Sequence, residues 1–373
     1  MEFKIKRNEF LNALSWTQSV VERKTTMPIL SNVLLEVKPK AVQITATDLE
    51  VGVITQVNAE VIQEGKICVP AKSLYDIVKE IPLEEIKIRA KEQGRLEVSA
   101  GKSHFRIVGL PPEEFPNLPL PDEKQWYPLE AKGLQGMLDK TLHAISTDES
   151  RYNLHGVFLE RVGEKALRMV ATDGHRLSYV DREVSQPMKL TKGVIIPKKA
   201  VHELKRLVGE SGAEGDVQEA VQLTIDGRNL IARRGGVTLV ARLIDGDFPD
   251  YQRVIPKLQE KALMVDRQTL MGALRRVSLL ISDRSRGIKF SLSSGLLELS
   301  TSNPDLGEAR EEIGVDYKGD HLKIGFNARY FLDVLGSMDD EKVAVELNGE
   351  VGPCVLRSAS DKGFLSVIMP MRI

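Results

Sequence analysis

Only two cysteines occur in 373 residues, Cys68 and Cys354, each inside an apolar, strand-like stretch. No Cys-x-x-Cys pair or Cys/His cluster accompanies them. That excludes a zinc ribbon or a disulfide framework and points to buried free thiols in a reducing cytosol. No apolar run approaches membrane-spanning length, and Met1-Glu2-Phe3-Lys4 lacks the basic-then-apolar layout of a secretory signal. A cytoplasmic protein with no membrane contact is therefore expected. An excess of positive charge is missing too: the formal charge is −1, whereas proteins that grip nucleic acid by affinity alone are usually strongly basic.

Catalytic signatures are equally scarce. No Gly-x-Gly-x-x-Gly follows a strand and no His-Glu-x-x-His occurs. Gly101-Lys102-Ser103 imitates the end of a phosphate-binding loop, but the glycine required five residues earlier is Leu96, so this is a hairpin turn. Asp173-Gly174-His175-Arg176 is the most enzyme-like cluster, since an Asp beside a His can orient an imidazole for base chemistry. No Ser or Cys nucleophile accompanies it, and the matching positions elsewhere are Asp48-Leu49-Glu50 and Asn303-Pro304-Asp305. Catalysis needs one complete constellation. A non-catalytic protein without metal or cofactor is the expectation.

What is present is repetition. Ile67 to Pro82 reads as a strand end feeding an amphipathic helix with Leu74, Ile77, Val78 and Ile81 on one face. The phrase returns at Val194 to Gly209 (Pro197, Lys198, Val201, Leu204, Val208) and at Ile324 to Met338 (Asn327, Ala328, Phe331, Val334, Met338). A first helix, starting near Asn8 as a possible N-cap, carries Phe10, Leu14, Thr17 and Val21. Its stripe recurs as Leu134, Leu138, Thr141, Ile145 and as Leu270, Leu274, Val277, Ile281. The repeat is domain-sized, and the hydrophobic content of 42% with 28% charged residues suits a soluble chain of two or three domains.

Alternating apolar and polar residues between the helices predict half-buried antiparallel strands, with turns at Gly101-Lys102, Asp226-Gly227, Gly235-Gly236 and Asn348-Gly349. Each third reads β-α-β-β-β twice, an α+β domain with two helices on curved antiparallel sheet. The boundaries are 1–120, 128–246 and 247–373. A stiff tie from Leu110 to Pro128 (Pro111, Pro112, Pro116, Pro119, Pro121, Pro128) joins the first two, and Phe248-Pro249-Asp250-Tyr251 in the second tie echoes Phe115-Pro116-Asn117-Leu118.

Positive charge gathers on the equivalent helices: Lys72 and Lys79; Lys132 and Lys140; Lys198, Lys199, Lys205 and Arg206; Arg267, Arg275 and Arg276, with Arg284 and Arg286 beyond, and Arg23 with Lys24 after the first helix. A solvated helix face explains such residues in an isolated protein. If repeated domains close into a ring, the same residues would line its hole, which reconciles a basic lining with a net charge near zero.

With these features the whole chain resembles the bacterial sliding-clamp family, the beta processivity subunits of DNA polymerase III. The resemblance is carried by Met27-Pro28-Ile29-Leu30-Ser31-Asn32, Thr172-Asp173-Gly174-His175-Arg176-Leu177, Phe248-Pro249-Asp250-Tyr251 and Met369-Pro370-Met371-Arg372. It implies a head-to-tail homodimeric ring of six domains that encircles duplex DNA without reading sequence, opened by a clamp loader complex. It places Phe105 and Ile107 of one chain against Leu280 and Ile281 of the other. It implies a partner-peptide cleft of Leu154, Thr172, Gly174, His175, Arg176, Leu177, Pro249, Arg253, Val254, Tyr330, Val367, Met369, Pro370, Met371 and Arg372, with Cys354 nearby. That cleft would take motifs of the Gln-Leu-x-Leu-Phe kind from the DNA polymerase III alpha subunit and other clamp-binding-motif proteins. Ile373 stands where the family has leucine. DNA contact is implied for Lys24, Lys72, Asp148, Arg151, Tyr152 and Asn153, and the helix-four lysines Lys198 and Lys199 are added on charge. Two other readings stay open: a protein-binding scaffold using the same cleft without encircling DNA, and an enzyme centred on Asp173 and His175.

Overall fold

The computed structural model describes residues 1–22, 26–91, 94–120, 125–209, 220–256, 262–281 and 287–372. Arg23, Lys24, Pro121, Arg284, Arg286 and Ile373 lie outside the described residues. Six α-helices are described: α1 (Arg7–Ser15), α2 (Ala71–Glu80), α3 (Ala131–Thr141), α4 (Lys198–Gly209), α5 (Arg267–Val277) and α6 (Ala328–Gly336). Each is preceded by one strand and followed by three, so the βαβββ unit runs six times along the described chain. One additional strand, Glu60–Gln63, lies beyond this pattern.

The helices form where the apolar spacing predicts them. In α2, Ala71, Leu74 and Val78 are buried, and in α4 Val201, Leu204 and Val208; a fully buried Leu or Val contributes about 2 kcal/mol. Helix starts differ in their chemistry. Asp266 caps α5 by accepting from Thr269 N at 2.7 Å, and Asn327 caps α6 by accepting from Arg329 N at 3.0 Å. Asn8 caps nothing. The strand Glu2–Lys6 runs straight into α1, whose cap position is Lys6, and the first free amide, Arg7 N, donates to Glu84 O at 2.7 Å. The helix thus begins before Asn8, which lies inside its first turn and cannot cap it.

The chain packs as two compact units, Met1–Lys132 with Lys199–Leu243, and Gly133–Lys198 with Ile244–Ile373. These differ from the sequence repeats because sheets cross the repeats. In the first unit an eight-stranded antiparallel sheet runs in the order Tyr127–Leu129, Val221–Asp226, Asn229–Arg234, Val237–Arg242, Val51–Asn58, Ala41–Thr47, Asn32–Lys38, Gly65–Pro70. Its seam joins the second third to the first, with Leu239 opposite Val53 and Val240 opposite Gly52. The second unit repeats the arrangement: Val194–Pro197, Gly156–Val162, Ala166–Thr172, Arg176–Glu183, Phe364–Ile368, Cys354–Ser358, Lys342–Leu347, Leu263–Asp266. Here the seam joins the second third to the last, with Leu177 opposite Val367 and Ser178 opposite Ser366.

Among the described residues, two half-sheets have no such seam. In the first unit a sheet runs Glu60–Gln63, Glu2–Lys6, Glu85–Lys91, Arg95–Ala100, Ser103–Val108, and ends on an open edge at Ser103–Val108. In the second unit a sheet runs Gly307–Gly314, Leu296–Asn303, Gly287–Ser293, Leu322–Asn327, and ends on an open edge at Gly307–Gly314. These strands hold the places in their repeats that the seam strands hold in theirs. Among the described residues no helix is long and apolar enough to cross a membrane.

Candidate functional site

The seam of the second unit and its turn carry Thr172, Gly174, His175, Arg176, Leu177 and Val367 of the expected cleft residues. The strand Ala166–Thr172 returns as Arg176–Glu183 through a tight turn at Asp173-Gly174-His175. Asp173 builds that turn: its Oδ1 accepts from His175 N at 2.9 Å and Arg176 N at 3.0 Å, while Thr172 Oγ1 donates to Arg176 O at 2.7 Å and accepts from Gly174 N at 3.1 Å. Gly174 sits at φ +88, in the left-handed region that favours glycine. The other Asp173 oxygen accepts from Arg176 Nε at 3.2 Å. The carboxylate is thus committed to backbone and arginine and does not orient the His175 ring, which removes the geometric basis for an Asp–His base.

Arg176 is 9% exposed, and its guanidinium is held on three sides. Besides Asp173, Nη1 donates to Asp333 Oδ2 of α6 at 2.6 Å, and the cation lies 4.4 Å from the centre of the Tyr330 ring. Behind it runs a buried polar link. His143 Nε2 is 3.1 Å from Ser178 Oγ, Ser178 Oγ meets Ser366 Oγ at 2.8 Å, and Ser366 Oγ donates to Leu177 O at 2.9 Å. Burial first, and then the Arg176 cation, push the His143 imidazole down to about 4.

The tail Met369–Arg372 leaves the seam strand and is pinned at two points: Met369 N donates to His175 O and Met371 N to Gly325 O, both at 2.9 Å. Pro370, Met371 and Arg372 form one wall of a recess of about 630 Å³ whose other side includes Lys323, Ile324, Gly325 and Val351. Leu177 and Val367 are core residues, packed with Val170, Tyr251, Val355 and Leu365, so they support the site from beneath. Tyr251, which does not line that recess, anchors the segment around Phe248 to Val254 on the same core. Its hydroxyl donates to Glu160, and Arg168 reaches it at 3.0 Å while gripping Asp181 with two bonds of 2.6 and 2.7 Å. Phe248 stacks on Phe158 at 4.8 Å. This anchoring sets out Pro249, Arg253 and Val254 as exposed residues, with Arg253 Nε on Asp250 at 2.7 Å.

Leu154 is buried, and the loop before it reaches the same turn: Arg151 Nη1 donates to Asp173 O at 3.3 Å, and Asn153 Nδ2 to Asp247 O at 2.9 Å. Hydrogen bonds from Ser150 hold the Asp148 carboxyl below its usual range. Tyr152 is 55% exposed.

The basic residues divide by unit. In the first, Lys72 and Lys79 are exposed, and Lys72 pairs with Asp76 at 2.5 Å. Lys199, expected to face DNA, donates to Asp48 and to Val20 O. Arg206 lies 4.1 Å from the Trp16 ring and donates to Ser15. In the second unit Lys198 is half-buried, Lys140 is bound to Asp361 at 2.5 Å, and Arg267 donates to Asp340 O and Leu335 O. Half-burial with a fixed acidic or carbonyl partner is what sequence alone does not reveal for Lys140, Lys199 and Arg267.

The expected association residues lie on one edge strand and just beyond α5. On the edge strand Ser103–Val108, Phe105 is 36% exposed and Ile107 is buried. Beyond α5, Leu280 and Ile281 are half-buried, while Leu279, which the sequence reading passed over, is 77% exposed.

Three family descriptions match the chain in succession: the DNA polymerase III beta subunit N-terminal domain at residues 1–119, the central domain at 128–250 and the C-terminal domain at 252–372. The beta sliding clamp of Pseudomonas aeruginosa is 38% identical, and that of Caulobacter vibrioides 36%, each over the full length of both chains. The crystal structure of the Bartonella birtlesii sliding clamp bound to griselimycin superposes with a TM-score of 0.94 at 37% identity, covering 100% of each chain. The chain belongs to the DNA polymerase III beta subunit family.

Proposed function

We propose that this protein is a DNA polymerase processivity factor, whose two copies join head to tail into a ring of six domains around duplex DNA. The observation that carries this is the pair of unmatched edges. In each unit the last strand of one half-repeat pairs with the last strand of the following third's second half. Applied to the remaining halves, the rule pairs Gly307–Gly314 of one chain with Ser103–Val108 of another. Two such contacts related by a two-fold leave neither edge open. Exposed Phe105 and Val108 on one edge, and Leu279 with Leu280 and Ile281 at the end of α5, supply apolar surface for that contact.

The three domains are taken as 1–120, 128–246 and 247–373. DNA contact falls to exposed Lys72, Lys79, Lys132 and Arg275, to Tyr152 and to Lys198, with Lys24 assigned from the resemblance alone. Because Lys140, Lys199, Arg206 and Arg267 are held by the fold, few phosphates are neutralised. Affinity then sits in the roughly 10⁻⁴–10⁻⁶ M class of non-specific binders, and retention depends on encirclement. Weak contact favours sliding.

The cleft at Arg176, Tyr330, Pro249, Val254, Met369 and Met371 takes a short motif with aliphatic and aromatic anchors. Flexible methionines let it accept several partners in turn, among them the polymerase alpha subunit and the clamp loader. Tethering there keeps polymerase at high effective concentration without any chemistry by this chain.

The test is retention on primed, nicked circular DNA after loading by a clamp loader from a related bacterium. Protein that stays on circles and runs off once they are linearised establishes encirclement. Equal retention on both forms means affinity holds it, and binding to neither, with the loader active on its own clamp, leaves a protein scaffold.

A further inference from the structure

We infer that Asp333 is a positioning residue of the partner cleft, acting through Arg176 to fix the Tyr330 ring. The inference rests on the cleft reading above and adds to it a residue that touches no partner.

The geometry argues it in three steps. Arg176 and Tyr330 come from separate elements, the seam strand and α6, and their stacking at 4.4 Å is a direct contact between them at this site. A cation over an aromatic face is weak on its own and leaves the guanidinium free to rotate. Two carboxylates remove that freedom: Asp173 holds Nε at 3.2 Å from the turn, and Asp333 holds Nη1 at 2.6 Å from the same helix that carries Tyr330. Asp333 sits one helical turn after Tyr330, so it ties the arginine to the helix face on which the ring stands. Its other neighbour, Arg329, is exposed and 4.0 Å away, too loose to replace Arg176.

The first unit supplies an internal comparison. There the same turn is built on Asp48, and Val51 occupies the place of Arg176. The carboxylate of Asp48 is answered by Lys199, from the helix position matching Arg329, and the Asp333 position holds Glu203, buried and with its carboxyl raised by desolvation. The frame stands without an arginine clamp, so the clamp is not required to build it. What the clamp adds in the second unit is a fixed aromatic wall.

The experiment uses the full chain and a fluorescein-labelled peptide carrying Gln-Leu-x-Leu-Phe, read by fluorescence anisotropy. Asp333→Asn should bind on the order of tenfold more weakly, and Asp333→Glu should regain most of the loss. Arg176→Met combined with Asp333→Asn should bind no more weakly than Arg176→Met alone, because Asp333 acts through the arginine. Wild-type affinity in Asp333→Asn, or losses that add in the double variant, would overturn the inference while leaving the cleft reading in place. Failure of the wild type to bind the peptide would instead remove the cleft reading itself.

Discussion

Ser178 and Ser366 meet hydroxyl to hydroxyl at 2.8 Å across the seam of the second unit, both fully buried. A seam between two apolar strands would tolerate slippage, and a buried hydroxyl pair specifies one register, since any other leaves polar groups unpaired. Ser366→Ala should therefore destabilise the protein by about 1–2 kcal/mol in urea unfolding, because Ser178 and Leu177 O each lose a partner. Replacing both serines by alanine should cost less than twice that, a difference readable in the same experiment.

His143 should make the protein acid-sensitive. The imidazole is depressed to about 4 from an ordinary 6.5. Between those values the unfolded chain binds a proton that the folded chain refuses. Stability is unaffected above about pH 6.5 and falls as pH drops through the window, by on the order of 2 kcal/mol at pH 5. His143→Gln, neutral throughout, should flatten the pH dependence of the urea midpoint between pH 6.5 and 4. An unchanged slope would assign the acid response elsewhere.

Leu49 and Gly174 occupy the same turn position with opposite consequences. Leu49 is the one non-glycine residue at positive φ among the described residues, at 77°, and it is exposed. Leu49→Gly should raise stability by about 1 kcal/mol, by relieving strain with little burial to lose. Gly174→Ala should do the reverse, since a Cβ would sit 2.5 Å from Arg151 Nη1 and displace it from Asp173 O. Melting temperatures of the two variants should move in opposite directions.

Association should depend on the edge strand. Phe105→Arg or Leu279→Arg places a charge in the proposed contact and should shift sedimentation toward the monomer, with the melting of each unit little changed. A variant that remains dimeric would relocate the interface.

The repeats were legible because each copy restates the same apolar spacing, as Leu74 and Val78 do in α2 and Phe331 and Val334 in α6. The turn at Asp173 was legible as a cluster, though its purpose was not: only coordinates show both carboxylate oxygens committed. Arg176 was expected in the cleft, yet Asp333 carries no local signal, being joined to it by a seam between strands far apart in sequence. The partners of Lys199 were hidden for the same reason. Asp48 comes from another repeat, and a lysine on a helix face reads alike whether it meets water or a carboxylate. The Asn8 cap failed because the strand Glu2–Lys6 runs directly into the helix, which starts at Arg7 and leaves Asn8 in its first turn.

Both native thiols are buried, and desolvation keeps them protonated, with Cys68 pushed up to about 12 and Cys354 raised as well. Thiolate is the reactive form, so at neutral pH neither buried thiol should compete for a maleimide or an oxidant. The wild-type chain is in effect a silent background for site-directed labelling. One cysteine placed on the Ser103–Val108 edge and another on Gly307–Gly314 can carry a dye pair or a crosslink, and the opening and closing of the assembly can be followed without first stripping the protein of its own sulfur.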